Sequence, residues 1–279
     1  MAGDSHKKTF LILTVFISIT AVALTVAAFS TDNWVKFTGS KSNNTGCDKN
    51  KTDGDCTTNG RFGLFRGDNE INYNLGNRDR ISKVICTNGW CSYYNVRTDL
   101  GETFDTDMTE AGIKYIKNIS SVYTQTKDKG VDVHDWEYGL FGFGYWVTIL
   151  VMLSLGIVWG LVTISFTVFN IFGKPIETIT GPLGLYLWNL LGLIFMLIGV
   201  ILFAVLFQTN FAENVLPQND YQYHTFRTKA SLDYSFYFTV GSLVGFLLNL
   251  LLLMFSGYSM RCACTQEANK GIDNGIILY

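Results

Sequence analysis

Four uncharged apolar runs constrain this chain more than any other feature: Phe10–Phe29, Tyr145–Phe169, Leu183–Phe207 and Ser235–Phe255. None contains Asp, Glu, Lys, Arg or His. A helix rises about 1.5 Å per residue and the bilayer hydrocarbon core is about 30 Å thick, so about twenty apolar residues suffice to cross it. The predicted class is an all-α membrane protein, a bundle of four transmembrane helices with a small β-containing domain in its first loop. Residues 1–9 form an N-terminal tail, 10–29 the first span and 30–144 a large loop. Residues 145–169 form the second span, 170–182 a short turn, 183–207 the third span, 208–234 a second loop, 235–255 the fourth span and 256–279 a C-terminal tail. Lys7 and Lys8 precede the first run and Ala27 and Ala28 close it, which is also the plan of a cleavable signal peptide; the run exceeds the 7 to 15 residues usual there, which favours a retained span.

The large loop holds every Asn-x-Ser/Thr sequon of the chain, at Asn43, Asn50 and Asn118. Such sites are glycosylated on the lumenal side, and an even number of spans places both ends together, so both tails are expected in the cytosol. Basic residues agree: Lys7, Lys8, Lys174, Arg261 and Lys270 fall inside, against Arg227 and Lys229 in the second outer loop. Interfacial aromatic belts are expected from Trp34, Tyr145, Trp146 and Tyr234 outside and Tyr186, Trp188 and Tyr258 inside; Trp159 in mid-span does not fit them. The net charge of -2 carries no basic block, so no nucleic-acid partner is expected.

Cys47, Cys56, Cys86 and Cys91 lie in the large loop, where an oxidising lumen and an even count favour bridges. Asn88-Gly89 between β-prone segments is a two-residue hairpin signal that places Cys86 opposite Cys91, close enough for a cross-strand disulfide. Cys47 and Cys56 then pair by elimination, inside an Asn-, Thr- and Gly-rich stretch that reads as an insertion. Arg61–Arg66 and the Asn88-Gly89 hairpin suggest short strands. Further on, Ile113, Ile116, Ile119 and Tyr123 line one face of a helix, with Asp107 and Glu110 resembling a capping box at its start. Cys262 and Cys264 follow the fourth span beside Arg261 and are candidates for S-palmitoylation, or plain free thiols.

No catalysis, cofactor or metal is expected. The spans lack the ionisable groups that pumps and coupled transporters use, and His6, His134 and His224 are dispersed. Asn189 and Asn249 are the notable polar residues at depth, suited to interhelical hydrogen bonding. Gly156 and Gly160, like Gly241 and Gly245, are spaced by four and allow close backbone approach, either within the bundle or in a homo-oligomer. Ile277 and Tyr279 end the sequence in the manner of a tail that a PDZ scaffold adds as a strand.

The tract Asn170–Leu187 makes a turn through Gly173, Lys174 and Pro175, runs through Glu177, and enters the third span at Gly181, Pro182, Gly184 and Tyr186. This order resembles the clarin family of four-span membrane proteins. Gly63-Leu64-Phe65 is similar to the clarin outer-loop motif, and Trp34, Gly63-Leu64-Phe65, Cys86 and Cys91 resemble the broader claudin-like pattern, with Phe65 where claudins carry Trp. The resemblance implies a non-enzymatic plasma-membrane organiser that joins membrane or extracellular protein partners to the actin-associated cortex, in sensory cells or synapses. Two rivals share the architecture: a claudin-like paracellular barrier or pore, and an auxiliary ion-channel subunit. The large loop carries 16 acidic and 14 basic residues, a balance that builds no strong ion filter.

Overall fold

The computed structural model describes residues 2–41, 56–73, 76–96, 106–173 and 181–255. The apolar runs are helices: α1 (Ala2–Ser30), α3 (Phe143–Phe172), α4 (Pro182–Leu206) and α5 (Tyr234–Phe255). Four segments among them are long and apolar enough to span a bilayer: Lys8–Ser30, Phe143–Phe172, Leu183–Phe211 and Tyr234–Phe255. The third outlasts its expected end because a wide helical turn, Phe207–Phe211, continues it. Helix α1 packs on α3 and α5, and α4 packs on the same two, closing a four-membered ring. Outward-facing Phe16, Val158, Ile201 and Leu247 are exposed, an apolar surface that lipid solvates. The protein is a multi-pass membrane protein.

Small residues set how closely the helices approach. A Cβ on Gly156 would strike the Met196 side chain on α4; one on Gly160 would lie 2.5 Å from Val22 Cγ2 and 3.2 Å from Phe246 Cζ. Gly241 faces Leu24 and Gly245 faces Ala21, both on α1. All four glycines thus face helices of the same chain. Gly160→Leu is expected to cost about 1–3 kcal/mol by overpacking, lowering the melting temperature and the yield of folded protein. Gly144→Ala, whose Cβ would meet open space, is the silent control.

Above the bundle stands a seven-stranded antiparallel sheet, built from β1 (Val35–Lys41), β2 (Thr57–Phe62), β3 (Arg66–Asn72), β4 (Asn77–Thr87), β5 (Trp90–Val96), β6 (Phe141–Gly142) and β7 (Phe226–Leu232). Its order is β6-β5-β4-β3-β2-β1-β7. The extramembrane part is therefore a larger β structure than the all-α class with a small domain allowed. It also draws on both of the loops expected to be outer: β7, from the second, pairs with β1 from Val35↔Leu232 to Lys41↔Phe226. Phe226 and Leu232 face inward with the alternation of a strand, and burial of Phe226 (0% exposed) secures the register.

The β4–β5 hairpin follows its local chemistry. Asn88 and Gly89 have φ of 52° and 81°, the positive values that a two-residue turn matching strand twist requires. Cys86 pairs with Cys91 in the ladder, and the two form a disulfide with Cα atoms 4.0 Å apart. Phe141 and Gly142 of β6 add to β5 at that point, and the Phe143 N–H donates to Gly89 O at 2.9 Å, so the hairpin caps the entry of α3. Helix α2 (Thr106–Asp128) lies against β4 and β5, burying Ile116, Ile119 and Tyr123 with Tyr138 and Leu140. Ile113 is half-buried on the same side. The side chain of Asp107, and with it the capping box, lies outside the described residues.

Candidate functional site: the junction and the outer cleft

The residues that carried the family resemblance in the outer loop converge where the sheet meets α1. Trp34 is 1% exposed, its Nε1–H donates to Ala28 O at 2.7 Å, and its ring lies 4.6 Å from that of Phe203 and 6.4 Å from that of Phe236. It is a strut between sheet and bundle, and not the interfacial belt residue expected from its position. Trp146 departs from the belt in the same way: it is 2% exposed and packs against Phe141 and Phe211. Tyr145 and Tyr234 do remain exposed near the span ends.

Gly63, Leu64 and Phe65 form the connection between β2 and β3. Gly63 abuts Asp32, whose Cα would lie 2.6 Å from any Cβ there, which leaves room for glycine alone. Its carbonyl accepts from Tyr93 Oη at 2.7 Å. Leu64 is buried, whereas Phe65 is 50% exposed beside Phe29 at the end of α1, ring centroids 6.2 Å apart. Arg66 closes the corner through an ion pair to Asp32 at 2.7 Å. Trp159 also finds its explanation in contact: it stacks on Trp188 at 5.2 Å, and Phe166 extends the stack.

A second constellation was not legible as a site. Tyr73, Arg80, Tyr94, Tyr115, Asp220 and His224 line a cleft of about 300 Å³ between the sheet, α2 and the second outer loop. Asp220 is 3% exposed; it accepts from the Tyr73 hydroxyl and from Arg80 Nη1 at 3.1 Å, while Arg80 Nη2 donates to Tyr73 Oη at 2.8 Å. The three groups satisfy and neutralise one another. His224 packs on the Tyr73 ring at 4.7 Å and Tyr94 on Tyr115 at 5.5 Å. The Tyr115 hydroxyl is buried with no hydrogen-bond partner. With its charge internally cancelled, the cleft offers aromatic faces and neutral polar groups, a lining suited to an uncharged polar guest. Asp220 lies about 140 residues beyond the strands it joins, so no local pattern announces it.

Burial, reinforced by the Asp220 charge, holds the Tyr73 and Tyr115 hydroxyls well above the ordinary value of 10.0; the peptide N–H groups of Asn219 and Gln218 pull Tyr115 the other way without reaching hydrogen-bonding geometry. Burial and then Asp32 raise Tyr93. Each fold-raised phenol contributes stability that is complete below pH 10 and is lost as pH rises beyond it, because unfolded tyrosines then release protons that the folded ones retain. Thermal unfolding of the outer domain is expected to fall to lower temperature above pH 10, together with late tyrosinate absorption. A melting temperature flat across that range would contradict it.

Of the remaining sequence candidates, Asn118 is exposed on α2 while Ile119 and Ser120 of its sequon are buried. Cys56 is buried and disulfide-bonded. Gly173 ends α3, its N–H donating to Phe169 O at 2.7 Å, and Gly181 and Pro182 begin α4, followed by buried Gly184 and half-buried Tyr186. Asn43, Asn50, Cys47, Lys174, Pro175, Glu177, Tyr258, Cys262, Cys264, Ile277 and Tyr279 lie outside the described residues. Among the described residues no cluster of His, Cys, Asp and Glu could hold a metal ion.

Residues 141–253, spanning α3 to α5 with the second outer loop between α4 and α5, match a family model described as Clarin-2-like. Human (Homo sapiens) Clarin-3 is 38% identical over 92 residues, 33% of this chain and 40% of that protein. Mouse (Mus musculus) Clarin-3 is 26% identical over 128 residues, 46% of this chain and 56% of that protein. The chain spans about half the length of the curated relatives it matches. The region from α3 to α5 is thus similar to the clarin family, and the four-helix architecture is in keeping with that similarity, at modest identity to the members compared.

Proposed function

We propose that this protein is a non-enzymatic organiser of the plasma membrane, with its outer domain meeting extracellular or membrane partners and its cytosolic segments meeting the actin-associated cortex. The observation that carries this reading is the family match over three spans and the loop that supplies β7 and Asp220. That loop is woven into the sheet, so a partner seated on the outer domain bears on the bundle through Trp34. The cleft around Tyr115 offers such a partner a neutral, aromatic-lined contact. The sequons belong on the exoplasmic face with this domain, and both tails on the other.

Proximity labelling from the N-terminal tail in cells that express the protein tests the role. Cortical actin-associated proteins and adhesion molecules among the labelled neighbours are the expected result. Labelling confined to the subunits of one channel, or an epithelial layer whose electrical resistance changes on expression, would replace this reading with one of the two rivals. Orientation has its own test: Asn118→Gln is expected to remove one endoglycosidase-sensitive increment of mass, and unchanged mobility in a variant lacking all three sequons would reverse the topology.

A further inference from the structure

Four side chains with no exposed surface, one from each span, fall at a single level of the bundle. The level follows from the packing one turn above it. Gly160 of α3 faces Val22 of α1 and Phe246 of α5, and Gly192 of α4 faces the same Phe246 ring. One helical turn further from the sheet, each helix presents its next inward position: Ser18 on α1, Thr163 on α3, Asn189 on α4 and Asn249 on α5. All four are 0% exposed. The α1–α5 contact at this level is explicit, since Asn249 Nδ2 donates to Ser18 Oγ at 2.8 Å.

The hydrogen bonding there is incomplete in one particular way. Asn189 Nδ2 donates one N–H to Leu185 O at 2.9 Å and Asn249 Nδ2 donates one to Ser18 Oγ, so each amide nitrogen already has a protein partner. Asn189 Oδ1, Asn249 Oδ1 and Thr163 Oγ1 have no hydrogen-bond partner. By contrast, the buried hydroxyls of Thr25 and Thr167 are satisfied within the protein: Thr25 donates to Ser242 at 2.8 Å and Thr167 to Thr163 O at 2.6 Å. Two carbonyl acceptors and one hydroxyl that still has a proton to donate complement a small molecule that donates twice and accepts once. Water has that valence, and buried waters characteristically make about three bonds to polar groups otherwise left unsatisfied.

We propose that this layer is a binding site for one water molecule, which donates to Asn189 Oδ1 and Asn249 Oδ1 and accepts from the Thr163 hydroxyl. The water joins α3, α4 and α5, and the Asn249–Ser18 bond brings in α1. A sodium ion would find neutral oxygens but no anion, since none of the apolar runs contains Asp or Glu, and a bare charge at this depth is costly. A lipid or sterol hydroxyl is kept out by the complete burial of all four side chains. The layer then acts as a register key, because sliding any one span by a turn would strand the oxygens of the others in an apolar core.

Water-edited solid-state NMR on the full-length protein in lipid bilayers, with labelled Asn and Thr, tests the site without altering it. Magnetisation transfer from water to the side-chain carbons of Asn189, Asn249 and Thr163, and its absence at Thr25, is the expected result. Loss of the transfer to Asn249 in Asn189→Leu and Thr163→Val, each refolded with wild-type helix signals, would extend it. No transfer at Asn189 and Asn249 in the wild type would overturn the proposal in favour of a dry layer. Asn shifts that respond to sodium chloride and not to choline chloride would overturn it in favour of a cation.

Discussion

Trp34→Ala is expected to lower the stability of the folded protein by about 3–5 kcal/mol, the usual consequence of truncating a fully buried large aromatic side chain. The ring fills the space between Phe203 of α4 and Phe236 of α5, and its indole N–H satisfies the Ala28 carbonyl at the end of α1. Its backbone is equally engaged: Trp34 N–H donates to Phe62 O at 3.0 Å and its carbonyl accepts from Asp233 N–H at 3.0 Å. Removing the ring leaves a cavity where α1, α4, α5, β1 and β2 meet. Thermal unfolding in detergent and surface biotinylation in cells would both register the loss. Trp34→Phe, which keeps most of the volume but leaves the Ala28 carbonyl only the long 3.4 Å contact from Thr31 Oγ1, should fall between. A Trp34→Ala variant that melts with the wild type would return Trp34 to a role at the lipid headgroups.

Arg80→Met is expected to cost about 3 kcal/mol, the lower end of the range for breaking a buried ion pair, because Arg80 keeps 26% of its side chain exposed while Asp220 keeps 4%. The variant leaves the Asp220 carboxylate in a poorly solvated site with the Tyr73 hydroxyl as its remaining neighbour among the three. Arg80→Met combined with Asp220→Asn removes both charges and should recover most of the loss. Since Asp220 lies in the second outer loop and Arg80 on β4 of the first, limited proteolysis of residues 208–234 gives a local readout beside the global melting temperature. Wild-type protease resistance in Arg80→Met would mean that β7 alone tethers that loop.

How much of this was legible beforehand depends on how far each determinant reaches along the chain. The Cys86–Cys91 bridge was readable because Asn88 and Gly89 dictate a turn that fixes their neighbours within a few residues. The inward face of α2 was readable from the spacing of Ile116, Ile119 and Tyr123, which is a property of the helix itself. Strand β7 was missed, although Phe226, Ala230 and Leu232 alternate weakly with Arg227, Lys229 and Ser231. A short half-polar segment between two spans has no local reason to be a strand until β1, almost two hundred residues earlier, offers its edge. Trp34 and Trp146 were misread for a related reason. An aromatic residue at a span boundary suits a lipid interface, and only the overlying sheet turns that interface into a protein core. Trp159 resisted explanation because its partner, Trp188, sits on another helix.

The sequence by itself determined that four helices cross a membrane, where the polar mass lies, and which hairpin carries a disulfide. Each of these follows from solvation or turn geometry acting over twenty residues or fewer. Tertiary structure alone decided that both outer loops build one sheet, that Tyr73, Arg80 and Asp220 cancel one another's charge, and that Ser18, Thr163, Asn189 and Asn249 share a level. Those outcomes are set by the register of elements distant in sequence, and register is chosen by the simultaneous burial of all their faces, a condition that no single segment contains.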